Sequence, residues 1–484
     1  MNQHINRNHY RPGASERRRQ YFLHRLPIMF IIVLLLILLS VFCWMLGRHF
    51  LGKDSPAPLP SGSGTGTGLE VGKNPLEPTT DIEIFTEPDP ASAPIDALLE
   101  EAGRIAAGYD YDRAIELLQA SDFYGSDQRI EDAIAQYEAV KETLRPCDIS
   151  QVTHVFFHTL VIDEAKAFDG DGDESGYNQV MTTKDEFLKI LDSMYAKGFV
   201  LVRLHDMAEL TSGENGTQMT RKTILLPEGK RPFVMSQDDV CYYEYMDGDG
   251  FATRMVIGSD GKPTCEMKME DGTTQTGAFD LVPILEEYIQ EHPDFSYKGA
   301  RAVIAFTGYQ GILGYRTALS YSDSPTYEQD RQTAAAVAQC LRDNGWELAS
   351  HSWGHRDLGT IEWDKFKADC DKWDSEVKSL IGPTDIILFP FGADVGDWHP
   401  YAQDNERFLY LKNLGFSYFC NVDSSQYWVQ VGNDFLRQGR RNLDGYRMWM
   451  DIVAGDDTSK RKLDDLFRAE DVFSPNRPTP VVWE

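Results

Sequence analysis

The sequence predicts an α/β domain built on a mainly parallel sheet, either open or closed into a barrel. Three observations carry this. From about Val152 onward, short β-rich runs alternate with helical ones. The polar residues most suited to chemistry fall where strand-like runs end, the place where sites form in such sheets. The composition, 42% hydrophobic and 25% charged over 484 residues with a mean hydropathy of −0.40, is that of a soluble globular protein and excludes a polytopic membrane protein.

In chain order the strand candidates are VTHVFFHTLVI, FVLVRL, RPFVMS, RAVIAFT, WELASH, IILFPF and FSYFCNV. Between them lie the helix candidates KDEFLKILDSMYAKG, FDLVPILEEYIQEH, YEQDRQTAAAVAQCLRDNG, DKFKADCDKWDSEVKSLIG and NERFLYLKNLG. The domain spans 150–484, generous for one such unit. The excess is assigned to an insertion at 242–277, whose alternating runs around Asp260-Gly261 predict a β-hairpin flap.

Four segments precede this domain. Residues 28–47 carry no charge and have about the length that a helix needs to cross a bilayer. Arg7, Arg11, Arg17, Arg18, Arg19 and Arg25 come before them with one acid, Glu16, so 1–27 is expected to be a basic cytoplasmic tail. A cleaved signal peptide would have a shorter apolar run and a small-residue cleavage site. The expectation is therefore an uncleaved single-pass signal anchor in the cell membrane, with the rest extracytoplasmic. Residues 48–94, rich in Pro, Gly, Ser and Thr, read as a flexible linker. Residues 95–146 turn helical, with Leu98, Leu99, Ala102 and Ile105, then Ala114, Leu117 and Leu118, then a third stretch from Ile130 to Leu144. The text resembles one tetratricopeptide-like helical hairpin. One repeat makes no solenoid, so the segment reads as a spacer or cap, with a protein-docking module as the alternative.

Charge sharpens the partner classes. The chain has 47 Lys+Arg and 76 Asp+Glu, a net −29. Residues 1–53 hold eight bases and one acid; the remainder holds 39 and 75, or −36. Such a chain makes a poor nucleic-acid binder, since phosphate contact needs clustered positive charge. Cys43 lies in the apolar run; Cys147, Cys241, Cys265, Cys340, Cys370 and Cys420 are left as bridges or free thiols. Within FDGDGDESG, the run from Asp169 is not an EF-hand loop, because Glu174 and Val180 occupy the positions that require Gly and Glu.

Two features carry chemistry. His351 and His355, in ELASHSWGHRD, stand four apart at a strand end; four residues of straight strand span about 13 Å, so they can share a metal only if the chain turns after His351. Asp238 and Asp239, in FVMSQDDVC, follow another strand. One carboxylate can ligate a cation while the other acts as general base; the plainer reading is a solvated acidic turn.

Taken together, these motifs resemble the polysaccharide deacetylase domain (NodB-homology, carbohydrate esterase family 4). NGWELASHSWGH is similar to its second motif almost throughout, and SQDDV to its first, with Gln237 and Val240 replacing an aromatic and a Gly. IILFPFGADVGDW resembles the third at Pro390, Phe391 and Gly392 but lacks the usual Arg, where Leu388 or Phe389 stands. NVDSSQYW resembles the fourth, with Asp423 and Trp428; the late catalytic His of the fifth has no match. The early run VTHVFFHTLVI looks like the exopolysaccharide deacetylase branch, in which an early strand supplies that His. Here it would be His158, preferred over His154 as nearer the strand's C-terminal end.

The resemblance implies an irregular (β/α) barrel of NodB-homology type over roughly 152–450 and removal of N-acetyl groups from a cell-wall or exopolysaccharide glycan. Asp239, His351 and His355 would hold a divalent metal, zinc first, with cobalt, nickel or manganese as alternatives. Asp238 would be the base, His158 the acid, and the Phe391 N–H an oxyanion donor. Trp428 and Trp353 would line the acetyl pocket, core packing being the alternative for each Trp, and Asp423, of the fourth motif, would bind substrate. Tyr309, Tyr315 and Arg316, in GYQGILGYRT, would contact sugar or pack a loop. A glycan-binding or scaffold protein that has lost turnover is the alternative function, given the altered first and third motifs, and a hydrolase of other acyl groups is a third. Convergence of the three metal ligands to within about 3–4 Å of one another, with His158 facing the same pocket, is the geometry this assignment requires.

Overall fold

Alternation within the strands decides the architecture. The computed structural model describes residues 92–213, 216–397 and 399–483. The basic tail 1–27, the apolar run 28–47 and the linker up to residue 91 lie outside the described residues. Among the described residues no helix is long and apolar enough to cross a membrane.

Eight strands form the barrel: β1 (Thr153–Phe157), β2 (Phe199–Leu201), β3 (Arg231–Gln237), β4 (Val303–Phe306), β5 (Glu347–Ser350), β6 (Ile386–Leu388), β7 (Tyr418–Val422) and β8 (Leu436–Asn442). Seven close a parallel ring in the order β1-β3-β4-β5-β6-β7-β8 and back to β1. β2 is the irregularity. It pairs with the start of β3 (Leu201 opposite Phe233), while β4 takes over the same edge at Ser236 and Gln237.

Successive residues point to opposite faces. Val234, Val303, Ala305, Ala349, Ile386, Leu388, Tyr418, Cys420 and Leu436 fill the interior as one apolar cluster. Their neighbours Phe233, Met235, Ile304, Phe306, Leu348, Ile387 and Phe419 face outward and meet the helices. Those helices are α4 (Lys184–Ala196), α5 (Leu281–Glu291), α6 (Tyr327–Asp343), α7 (Trp363–Trp373), α8 (Glu406–Asn413) and α9 (Gly445–Ala454). α4 shows why they form. Thr183 and Glu186 make a reciprocal capping box, and Phe187, Ile190, Leu191 and Met194 recur on one buried face.

Ahead of the barrel stand α1 (Ala93–Ala107), α2 (Tyr111–Gln119) and α3 (Gln128–Lys141), packed on their own small core of Ala102, Ala106, Ala114, Leu118 and Ile130. The Tyr109 hydroxyl donates to the Asp294 carbonyl at 2.9 Å, and the Lys298 N–H donates to the Gly108 carbonyl at 2.7 Å, tying this module to the barrel. The insertion has one strand more than the expected hairpin. Arg254–Ile257, Pro263–Lys268 and Thr274–Gly277 form an antiparallel three-stranded sheet, turning at Gly261 and again at Gly272, both with positive φ. The six cysteines from Cys147 to Cys420 are all free thiols.

One ionic clamp holds the barrel where β2 leaves it. The His205 ring lies against Glu347, its Nε2 is 3.0 Å from Asp385, and it packs edge-on to Tyr418 at 4.4 Å. Burial alone would lower this imidazole, but the two carboxylates more than offset it and push it up to about 10. A raised pKa means that the folded chain holds a proton the unfolded chain gives up near 6.5. The stabilisation is complete below that pH and is lost as pH rises towards 10. The urea midpoint is expected to fall between pH 6.5 and 10, and to fall less in His205→Gln. Identical slopes for both proteins would remove His205 as the cause.

Candidate metal and catalytic centre

Inward parity continues past the strand ends and builds the site. Ser236 and Asp238 extend the inner face of β3, His351 that of β5, His154 and His158 that of β1, and Gln438 and Arg440 that of β8. His154 is wholly buried, bridging Gln438 at 3.1 Å and Ser236 at 3.0 Å, and so belongs to the barrel interior. His158, further along, reaches the cavity above.

That cavity, about 370 Å³, is lined by His158, Asp238, Asp239, His351, His355 and Phe391 among others. Asp238 is fully buried. Its N–H donates to the Phe157 carbonyl at 2.9 Å, and Arg440 Nη1 donates to Oδ1 at 2.6 Å. Burial would raise this carboxyl, but Arg440 and the nearby His351 outweigh it and hold it well below the usual carboxylate range. Arg440 is the residue that reading the motifs missed. It arrives from β8, a run not counted among the strands.

Asp239 adopts φ 58°, which swings its carboxylate towards the histidines. Tyr243 Oη donates to Asp239 Oδ1 at 2.8 Å, leaving Oδ2 3.5 Å from His355 Nε2. His351 Nδ1 donates to the Leu388 carbonyl at 2.8 Å, which fixes the tautomer with the Nε2 lone pair free. Burial lowers His351, favouring the neutral, ligating form. The turn needed after His351 is present: Ser352 has φ 57° and His355 φ 48°, and the Trp353 and Gly354 N–H groups each donate to the Asp369 carboxylate at 2.8 Å. One ligand atom from each of Asp239, His351 and His355 falls within 4.8 Å of the others. A carboxylate and two imidazoles, one with its lone pair fixed, form a donor set suited to a divalent cation of the zinc class.

The altered first motif has its own logic. Gln237 is buried, and its amide donates to both oxygens of Asp280, at 2.8 and 3.0 Å. Asp280 also accepts from Tyr242 Oη at 2.7 Å and the Leu160 N–H at 3.0 Å. Val240, in the place of the Gly, is buried in the core.

The remaining candidates divide. His158 Nδ1 donates to the Val180 carbonyl at 3.1 Å, so Nε2 is the atom left for chemistry. Phe391 adopts φ 58°, its N–H has no hydrogen-bond partner among the described residues, and its ring lies edge-on to His355 at 4.5 Å. Trp353 is directed elsewhere: it lies under Lys372 at 4.1 Å and lines a separate cavity with Arg356 and Lys365. Trp428 stacks with Arg437 at 5.0 Å, and Asp423 receives the Ser425 N–H at 2.6 Å; neither lines the cavity. Tyr315 is buried with its hydroxyl on the Met255 carbonyl at 3.1 Å, and Arg316 donates to the Tyr242 carbonyl at 2.8 Å, so both pack the root of the insertion. Asp444, which caps α9 by accepting from the Arg447 N–H at 2.7 Å, and Trp483 also line the cavity; no sequence motif pointed to them.

No family model matches the chain, and no curated protein matches it. Among solved structures it is similar to the Streptococcus pyogenes deacetylase PplD in complex with acetate, at 12% identity and a TM-score of 0.34, covering 62% of this chain and 94% of that one. It is also similar to a de-N-acetylase from Aggregatibacter actinomycetemcomitans, at 14% identity and a TM-score of 0.34, covering 61% and 95%.

The donor set predicts saturable binding of one Zn²⁺ per chain by calorimetric titration. Tyr243→Phe, which frees Asp239 Oδ1, should weaken it by about 10–100-fold, and Asp239→Asn by more. Equal affinity in wild type and Asp239→Asn would exclude this ligand set.

Proposed function

We propose that this protein is a metal-dependent deacetylase that hydrolyses N-acetyl groups of a cell-wall or exopolysaccharide glycan. The observation that carries the reading is the convergence in one cavity of Asp239, His351 and His355 with an ionised Asp238, an unpartnered Phe391 N–H and the free Nε2 of His158. In this reading residues 28–47 anchor it in the cell membrane, and the linker and helical module hold the acidic domain out towards an uncharged polymer.

The roles in this reading are those that the motif resemblance implies. A divalent cation held by the three ligands supplies Lewis-acid polarisation of the acetyl carbonyl and makes water more acidic. Asp238, kept as a carboxylate by Arg440, takes a proton as the water oxygen bonds to the amide carbon. The Phe391 N–H donates to the oxyanion. The C–N bond then breaks, protonated His158 gives its Nε2 proton to the departing amine, and acetate leaves.

The reading of a scaffold without turnover rests on the altered first motif and on the missing Arg of the third. Arg440, 2.6 Å from Asp238, answers that departure and favours an active enzyme.

Acetate release from N-acetylglucosamine polymers tests the assignment. Asp238→Asn is expected to lower it by about 10²–10⁴-fold, the usual scale of a lost general base; equal release would end the assignment. The acid limb of the pH–rate profile tests Arg440. Since Arg440 lowers the Asp238 carboxyl against burial, Arg440→Met should move that limb to higher pH, with Arg440→Lys moving it less. Profiles that coincide would release Arg440 from this role.

A further inference from the structure

Exposed aromatic rings gather at one place on this molecule. Among the described residues four aromatic side chains are classed with the exposed large hydrophobics: Tyr124, Tyr245, Phe391 and Trp483. Three of them line the cavity described above, at 49, 71 and 61% exposure respectively. Scattered single apolar side chains on a surface need no explanation, but convergence of three rings on one opening does.

Each ring is held from behind rather than left loose. Tyr245 stacks on Tyr243 at 5.5 Å with 13° between planes, and Tyr243 stacks on Tyr309 at 5.3 Å and 20°. Tyr177 lies further off, its ring centroid 6.4 Å from that of Tyr245 with 12° between planes. This row is fastened to the cation ligands, because Tyr243 Oη donates to Asp239. Trp483 comes from the opposite part of the sequence. Its ring packs on Tyr446 at 5.2 Å, and the segment leading to it is pinned by the buried Arg477–Glu186 pair at 2.6 Å and by Arg477 Nη2 donating to the Met181 carbonyl at 2.6 Å. A flat, partly exposed ring backed by a rigid support and with few rotatable bonds is suited to stacking against the apolar face of a pyranose. Phe391 sits over the reacting centre, on His355. Tyr245 and Trp483, carried by two other segments, line the same cavity and are about half exposed or more.

We propose that Tyr245 and Trp483 are platforms for sugar rings flanking the one that reacts, so that the ligand is an internal stretch of a glycan chain and not a single sugar. This rests on the functional reading above. The bond chemistry is unchanged; the two residues position substrate and set a preference for chain length.

The test uses the full chain and N-acetylglucosamine oligomers from dimer to hexamer. KM for acetate release should fall with length in the wild type. Tyr245→Ala and Trp483→Ala should each lose about two- to tenfold of that gain, the scale of one aromatic stack. Both side chains are exposed, so thermal midpoints near the wild-type value are expected and would show the fold intact. Calorimetric binding of the hexamer to Asp238→Asn, alone and combined with each alanine, separates the two proposals. Binding that weakens with either alanine, even if no variant releases acetate, would support the platforms and sink the deacetylase. Length-independent KM, hexamer binding indifferent to both substitutions, or no hexamer binding at all would overturn the platforms.

Discussion

A single buried ion pair ties the closure of the barrel to the state of its site. Asp238 is withdrawn from water, and an isolated carboxylate there would take up a proton. It stays ionised because Arg440 reaches it from β8, passing over the Phe156 ring at 4.4 Å and within 3.2 Å of Ser236 Oγ. Arg440 can do so only if β8 lies beside β1 with its even-numbered residues facing inward, which is the pairing that closes the ring. Breaking such a pair by removing one partner costs about 3–5 kcal/mol, a large share of the roughly 5–15 kcal/mol that holds a domain folded. Fold and electrostatics therefore stand on the same contact.

Most of the barrel was legible because its strands announce themselves by burial. β1 to β7 fall inside, or within one residue of, runs that read as strands from composition alone, and α4 to α8 likewise for runs with helical period. β8 was not legible. LRQGRRN puts Gln438 and Arg440 on the inner face and Arg437 and Arg441 on the outer, all buried, so every hydropathy rule takes it for surface. Its charges are satisfied only by partners far along the chain, Asp238, Asp394 and Asp465. The short antiparallel pair at Ala208–Gly213 and Gly216–Arg221 escaped for the opposite reason: it is exposed on nearly all positions and has no apolar face to show.

The site divides in the same way. Asp238, Asp239, His351 and His355 were readable because local spacing puts them at strand ends, and the structure brings the last three ligand atoms within 4.8 Å, looser than the 3–4 Å sought. Spacing says nothing about which way a side chain leaves a turn. After His351 the left-handed Ser352 sends Trp353 outward against α7, where Asp369 holds its N–H, although its motif suggested an acetyl pocket. Tyr243, Asp444 and Trp483 reach the cavity from an insertion edge, a helix cap and the C-terminal segment. Only tertiary packing joins them.

Backbone strain marks the same place. Nine non-glycine residues among those described have positive φ, and four of them, Asp239, Ser352, His355 and Phe391, belong to this centre. Each costs about 1–3 kcal/mol and persists only where its surroundings over-determine it. Here those surroundings are identifiable: the Asp369 carboxylate under the histidine turn, Tyr243 on Asp239, and the Gln237–Asp280–Tyr242 network beneath the carboxylates. An aromatic at position 237 would pack but could not bind Asp280, leaving a buried carboxylate with one partner fewer. The departure from the motif that SQDDV resembles is thus an exchange of one means of rigidity for another. A turn held this firmly keeps its polar groups in place whether or not the cavity is filled, and such preorganisation is what the proposed chemistry would draw on.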